Sequence, residues 1–225
     1  LGMLLATETW KDAAPEDIEA APGSDFFPGA VPKIAKRLNR TVDFTEVQAR
    51  NGGWLSTGLY AGAGEVIRVS PGTVAAAEGW KIRIGSHKDQ LWQKDSWSRW
   101  PEVTLERRID VQKNGAFEVA SPFGGLIYLV PGEGAGEASF TIFGAVEAPL
   151  FILGDKQSKA EWKKRREAPA PWAELVCEGM ILTVPAGAIR ELEDPTSLME
   201  YWERAAECYP ELRGEPQPAR AERMV

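Results

Sequence analysis

Short stretches in which apolar and polar residues alternate fill the middle of the chain. Val42 and Phe44 alternate with Asp43 and Thr45. Leu55, Thr57 and Leu59 alternate with Trp54, Ser56 and Gly58. Trp80, Ile82 and Ile84 alternate with Lys81 and Arg83, the cleanest such run. A period of two puts successive side chains on opposite faces, so each stretch predicts a half-buried strand, with Lys81 and Arg83 directed to water. Further strands are predicted at residues 65–70, 103–111 (Arg107 being the exception on the apolar face), 117–120, 140–146 and 149–153. Turn residues separate them: Asn51-Gly52-Gly53, Gly62 to Gly64, Pro71-Gly72 and Lys113-Asn114-Gly115.

One run does not alternate. Leu126, Ile127, Tyr128, Leu129 and Val130 follow Pro122 and the pair Gly124-Gly125. A strand with no polar face needs cover on both sides, so this run is expected to be a central strand. The paired glycines fit a bulge or a close backbone approach just before it. Many short, non-repeating strands spaced by turns predict a mainly-β fold, an antiparallel β-sandwich over residues 41–153. Residues 1–40, broken by Pro15, Pro22, Gly23, Pro28, Gly29 and Pro32, form a lead-in that is partly helical or irregular.

The texture changes after residue 153. A polar helix is predicted at residues 158–167, closed by Pro169 and Pro171, with extended segments at 172–177 and 180–184. Asp194 and Pro195 suit the N-cap and first position of an amphipathic helix. Its stripe is Leu198, Met199, Trp202, Ala205, Ala206 and Tyr209, and Pro210 is expected to end it. Residues 154–225 therefore read as a smaller α/β segment.

With 225 residues, 44% of them hydrophobic, the chain holds one sizeable domain or a domain with an appended subdomain. A net charge of −7 argues against a nucleic-acid surface. The basic run Lys163 to Arg166 reads as a solvated helix face. No apolar run reaches transmembrane length. No signal peptide is visible, and the chain starts at Leu1 and not at Met, so it is expected to begin inside a longer polypeptide. Cys177 and Cys208 could be free or paired.

Catalytic constellations are scarce. His87 is the sole histidine, which leaves no His-Glu-x-x-His and makes a triad or a metal site in this chain unexpected. The glycine stretches lack a P-loop's Gly-Lys-Ser/Thr. The main positive feature is Trp92, Trp97 and Trp100 within nine residues, beside His87, Asp89 and Arg99. Indoles beside hydrogen-bonding groups are what a sugar ring needs. The alternative is that these tryptophans cap the open end of the β layer, since large aromatics dominate cores.

Ser121-Pro-Phe-Gly-Gly-Leu-Ile-Tyr128 resembles the core signature of the M60-like (enhancin-like) zinc metallopeptidases, whose relatives include the TRPM8-channel-associated factors. Four other segments agree in order: residues 54–61, 82–89 and 97–101, and Ala168-Pro-Ala-Pro-Trp-Ala-Glu-Leu175. The resemblance runs from about Phe27 to Val225. It implies the amino-terminal, non-catalytic portion of such an enzyme, supporting a catalytic half and one wall of a substrate cleft. It implies no cofactor in this chain, zinc in the complete protein, an O-glycosylated protein or glycan as substrate, and a secreted or cell-surface location. It also leaves open a stand-alone glycan-binding module, with His87, Asp89, Trp92, Trp97, Arg99 and Trp100 as the site. An interaction protein like the channel-associated factors, with a membrane-protein partner, is a third reading.

Overall fold

The run at residues 126–130 is covered on both faces, and the architecture follows from that. The computed structural model describes Trp10 and residues 13–89, 91, 93–111 and 115–225. Eight strands form one antiparallel sheet: β1 (Leu38–Phe44), β2 (Leu55–Ala61), β3 (Val66–Pro71), β4 (Trp80–Ile84), β5 (Leu105–Arg108), β6 (Phe117–Ala120), β7 (Gly125–Pro131) and β8 (Ala138–Glu147). Their order is β5-β4-β7-β2-β8-β3-β6, with β1 also paired to β8. A second, mixed sheet holds β9 (Leu150–Ile152), β10 (Trp172–Val176), β11 (Met180–Pro185) and β12 (Glu222–Met224) in the order β12-β11-β10-β9. The helices are α1 (Glu46–Asn51), α2 (Lys156–Arg165) and α3 (Thr196–Arg213).

The mainly-β fold with an α/β segment behind it is as the sequence predicts. The eight strands, however, form one curled path where a sandwich would have two separate sheets. The cause is β8, ten residues long. Its first part pairs with β1 and β3, and its last residues, Val146 and Glu147, pair with β2. Gly144 sits between the two parts at φ +87, where a Cβ would lie 2.8 Å from the Val66 carbonyl oxygen. The halves close around one core. Phe44, Ile67, Val69, Phe140 and Ile142 come from one side, and Leu59, Trp80, Ile82, Ile84, Ile127 and Leu129 from the other. The strand expected with this layer at residues 149–153 belongs instead to the second sheet, because Leu150, Phe151 and Ile152 pair with Glu174, Leu175 and Val176.

Strand β7 divides its side chains between two cores. Ile127 and Leu129 face the curled sheet's interior. Leu126 and Tyr128 join Tyr60, Val146, Ala170 and Trp172 between the two layers. Full burial of such side chains stabilises by about 1.5–3 kcal/mol each. The glycine pair before β7 is a close approach: a Cβ on Gly124 would lie 2.5 Å from the Ala61 carbonyl oxygen, and one on Gly125 would lie 2.6 Å from the Gly85 Cα.

Several local predictions change. Helix α1 was not expected; its signal is a capping box in which Thr45 and Gln48 bond each other's backbone N–H. Helix α3 runs through Pro210 to Arg213 and ends on Gly214 in the left-handed conformation. A proline in the last turn removes one backbone donor without stopping the chain there, and Pro210 is buried. The N-cap is Pro195 and not Asp194, which stands one residue earlier with its Oδ1 accepting the Thr196 N–H at 2.9 Å. Arg83 is buried, not directed to water, because its guanidinium lies over the Trp54 ring and bonds the Gly85 carbonyl and Glu106. The expected turn at Lys113 and Asn114, and most of the first twelve residues, lie outside the described residues. Cys177 is buried and Cys208 exposed, and both are free.

Candidate functional site

The polar groups that the fold gathers lie in the seam between the layers and in the loop from β4 to β5. The loop leaves β4 at Gly85, φ +90, whose missing side chain lets the Val103 carbonyl oxygen come within 2.2 Å of the Cβ position. The returning chain is held by backbone bonds, Asp89 N–H to the Pro101 carbonyl (2.6 Å) and Val103 N–H to the His87 carbonyl (3.2 Å). Lys88 and Glu102 add a 3.3 Å ion pair across its base.

His87 is buried, 9% exposed, and sits against two rings. Its imidazole centroid is 4.2 Å from Trp172 of β10 and 4.9 Å from Phe27 of the lead-in. Its Nδ1 is 3.3 Å from the Ser86 hydroxyl, and its Nε2 has no partner among the described residues. Burial first, and the Arg99 charge second, pull its pKa down to about 4, so the ring is neutral at pH 7. Asp89 Oδ2 lies 2.6 Å from Arg99 Nη2, and the Arg99 guanidinium stands 4.2 Å over the Phe27 ring.

The tryptophans divide. Trp100 donates its indole N–H to the Pro22 carbonyl at 2.9 Å and packs edgewise on Trp10 (5.5 Å) and against Phe123 (5.4 Å). Trp97 is half-buried and donates to the Leu91 carbonyl at 2.7 Å. Trp92 lies outside the described residues. So the structure brings His87, Asp89 and Arg99 into one cluster with Phe27 and Trp172, and sets Trp100 in a neighbouring aromatic cluster that anchors the lead-in.

A second polar group spans the seam. Arg223 of β12 pairs with Glu174 of β10, which is 2% exposed. It also donates to the Trp54 carbonyl (2.8 Å), Ser56 Oγ (3.2 Å) and Thr183 Oγ1 (3.2 Å). The Tyr128 hydroxyl donates to the same Glu174 oxygen at 3.2 Å. Arg83 stacks 3.7 Å over Trp54 and reaches the Gly85 carbonyl and Glu106. Burial lowers its pKa, and Glu106 opposes that. Sequence reasoning overlooked Phe27, Trp172, Glu174 and Arg223. Glu174 carried a signal, a lone carboxylate inside the apolar strand Trp172 to Val176; Arg223 carried none.

These groups bind one another more than they offer chemistry. The one imidazole is walled in by aromatic rings, and the hydroxyl it approaches, Ser86, is itself buried. Among the described residues no three His, Cys, Asp or Glu side chains are grouped so as to hold a metal ion. The donor set does not fit a zinc site. Fold and site together define a β-rich scaffold of two sheets clamped by a buried polar seam.

Residues 34–143 match the family model for the N-terminal domain of M60-like peptidases, and residues 144–225 match that for peptidase M60, enhancin and enhancin-like. The chain belongs to the M60-like peptidase family. It is 38% identical over 186 residues to TRPM8 channel-associated factor 2 of Bos taurus, covering 80% of this chain and 20% of that protein. The chain thus spans about a fifth of the length of the curated relatives it matches. Its fold is similar to that of IMPa from Pseudomonas aeruginosa, solved in complex with an O-glycopeptide (TM-score 0.52, 18% identity, 81% of this chain and 21% of that one). It is also similar to the M60 catalytic domain of Clostridium perfringens ZmpC, solved in complex with the sialyl T antigen (TM-score 0.54, 17% identity, 76% and 40%).

Proposed function

We propose that the chain is the β-rich, non-catalytic portion of an M60-like metallopeptidase that acts on O-glycosylated proteins at the cell surface or after secretion. The observation that carries this reading is the pair of family matches, which run without a gap from residue 34 to residue 225 across both sheets. The likeness in fold to two proteins solved with O-linked glycan ligands supports the substrate class. In this reading the clamped sheets support the catalytic part and form one wall of the substrate cleft. Asp89, Trp97 and Arg99, each partly exposed, are the groups placed to touch substrate, while His87 and Trp100 hold the loop. Zinc belongs to the complete protein.

The test is proteolysis of an O-glycosylated mucin by the complete gene product, with and without a zinc chelator, and by this chain alone. The expected result is chelator-sensitive cleavage by the complete protein and none by the chain. No cleavage by the complete protein, or cleavage by the chain alone, overturns the proposal. One observation favours a second reading. The 38% identity to a channel-associated factor exceeds that to the solved peptidases, which fits an interaction protein with a membrane-protein partner. Absence of cleavage, with capture of such a partner by the purified protein, would establish it.

A further inference from the structure

Helix α3 packs Met199 and Trp202 against the second layer, Ala206 and Pro210 continue that stripe, and a charged ridge runs beside it. Glu200, Glu203, Glu207 and Glu211 recur at three- and four-residue spacing, which sets them on one face over about 16 Å of helix. None forms an ion pair among the described residues; the one recorded bond, at 3.3 Å, is from the Glu178 N–H to Glu203 Oε1. Like charges at this spacing repel and destabilise a helix. Neither arginine of the helix pairs with the ridge among the described residues: Arg213 is engaged by Glu215 at 3.0 Å, and Arg204, four residues after Glu200 on the ridge side, forms no ion pair.

Glu203, Glu207 and Glu211 of the ridge form one wall of a cleft of about 590 Å³, between α3, the edge of the second sheet and residues 215–220. Its apolar lining includes Met180, Trp202, Ala206, Pro210 and Met224, with Tyr209, 69% exposed, at the rim. Methionine side chains adapt to varied shapes, and an apolar groove beside helix-spaced charges accepts an amphipathic helix laid along it. Glu178, Glu215 and Glu222 add to the acidic lining, against Arg213 and Arg220.

We infer that this cleft is a docking site for a cationic amphipathic helix of another protein, its lysines or arginines facing the ridge and its apolar side chains entering between Met180 and Met224. The acidic lining and the helical period of the ridge complement the charges of such a helix. It does not depend on the peptidase reading.

The probe is a fluorescein-labelled helical peptide of about 14 residues, built of leucine and lysine at helical spacing. Its binding to the full chain is followed by anisotropy. A Kd of about 10 µM or tighter is expected, weakened about tenfold or more by the double reversal Glu207→Lys/Glu211→Lys. The reversal Glu133→Lys/Glu137→Lys, in the loop after β7, should leave binding within about twofold. A peptide with serine in place of leucine, carrying the same charge, should bind at least about tenfold more weakly. Equal loss from both reversals, equal binding of the serine peptide, or no binding of the leucine peptide overturns the inference. Circular dichroism and thermal melting of each variant show that it is folded. The milder Glu207→Gln/Glu211→Gln variant replaces any that is not, and should weaken binding about threefold or more.

Discussion

Arg223, two residues before the chain's last position, closes on the carboxylate of Glu174 in the middle of the second sheet, where that carboxylate is 2% exposed. The guanidinium simultaneously bonds the Trp54 carbonyl and Ser56 of β2. One side chain therefore ties β12, β10 and the curled sheet together. Removing one partner from a buried ion pair leaves the other charge without compensation, at a cost of about 3–5 kcal/mol. Arg223→Ala should lower unfolding stability by that amount in urea melts. Arg223→Lys should not restore it, since an ammonium cannot span both sets of acceptors. The double variant Glu174→Gln/Arg223→Met should lose less than Arg223→Ala. A loss equal to or greater than that of the single variant would show that the pair is not the source of the effect.

The histidine in the seam predicts a pH dependence. Its folded pKa, about 4, lies below the ordinary value of 6.5. The folded state therefore favours the neutral ring. The stability this contributes is complete above about pH 6.5 and is lost as pH falls towards 4. His87→Phe removes the titration while keeping a ring against Phe27 and Trp172. Denaturant midpoints at pH 7.5 and 5 should differ less for this variant than for the parent chain. An identical pH slope in the two would mean that other groups carry it.

Two glycines with the same sign of φ should respond differently to alanine. Gly134 (φ +78) has nothing within 4 Å of its Cβ position, so Gly134→Ala carries only the left-handed backbone cost of about 1 kcal/mol. Gly125 (φ +138) faces the backbone of Gly85 at 2.6 Å, and β4 and β7 cannot separate without breaking their ladder. Gly125→Ala should cost about 3 kcal/mol or more. Similar losses at the two sites, measured by thermal melting, would refute the close approach.

Trp100 gives a means of separating support from recognition. Its indole is engaged by Pro22, Trp10 and Phe123. Trp100→Ala should destabilise by about 2–4 kcal/mol and release the lead-in to proteolysis. If the variant keeps parental stability and loses only sugar binding, the residue is a ligand contact and not an anchor.

The alternation of Trp80, Ile82 and Ile84 and the unbroken run at residues 126–130 were enough to find the central strands and to require a second layer over them. The face of a strand can be read locally. What covers that face cannot, so Arg83 reads as solvated until Trp54 and Glu106 are brought beside it. The same limit hid the pairing of Glu174 with Arg223, 49 positions apart. At residues 150–152 the apolar pattern identified a strand but not its sheet, because sheet membership is a matter of partners. Pro210 misled for a related reason. A helix needs donors and acceptors only as far as they have mates, and its final turn can do without one. In the candidate site the aromatic composition was plain in the sequence, but the division of His87 and Trp100 from the partly exposed Trp97 depends on Phe27, Pro22 and Trp172, which come from distant segments.

Strand β8 has a consequence for how such a protein can change over generations. The border between the two family regions, at residues 143 and 144, falls inside it, at the glycine where it passes from one half of the curled sheet to the other. A recombination event at that border would join halves of one strand drawn from different parents. The hybrid would take β1, β2 and β3 from one lineage and residues 144–147 of β8, which carry the pairing with β2, from the other. Such a hybrid would keep its sheet closed only if the residues that follow Gly144 still fitted the β2 edge supplied by the other parent.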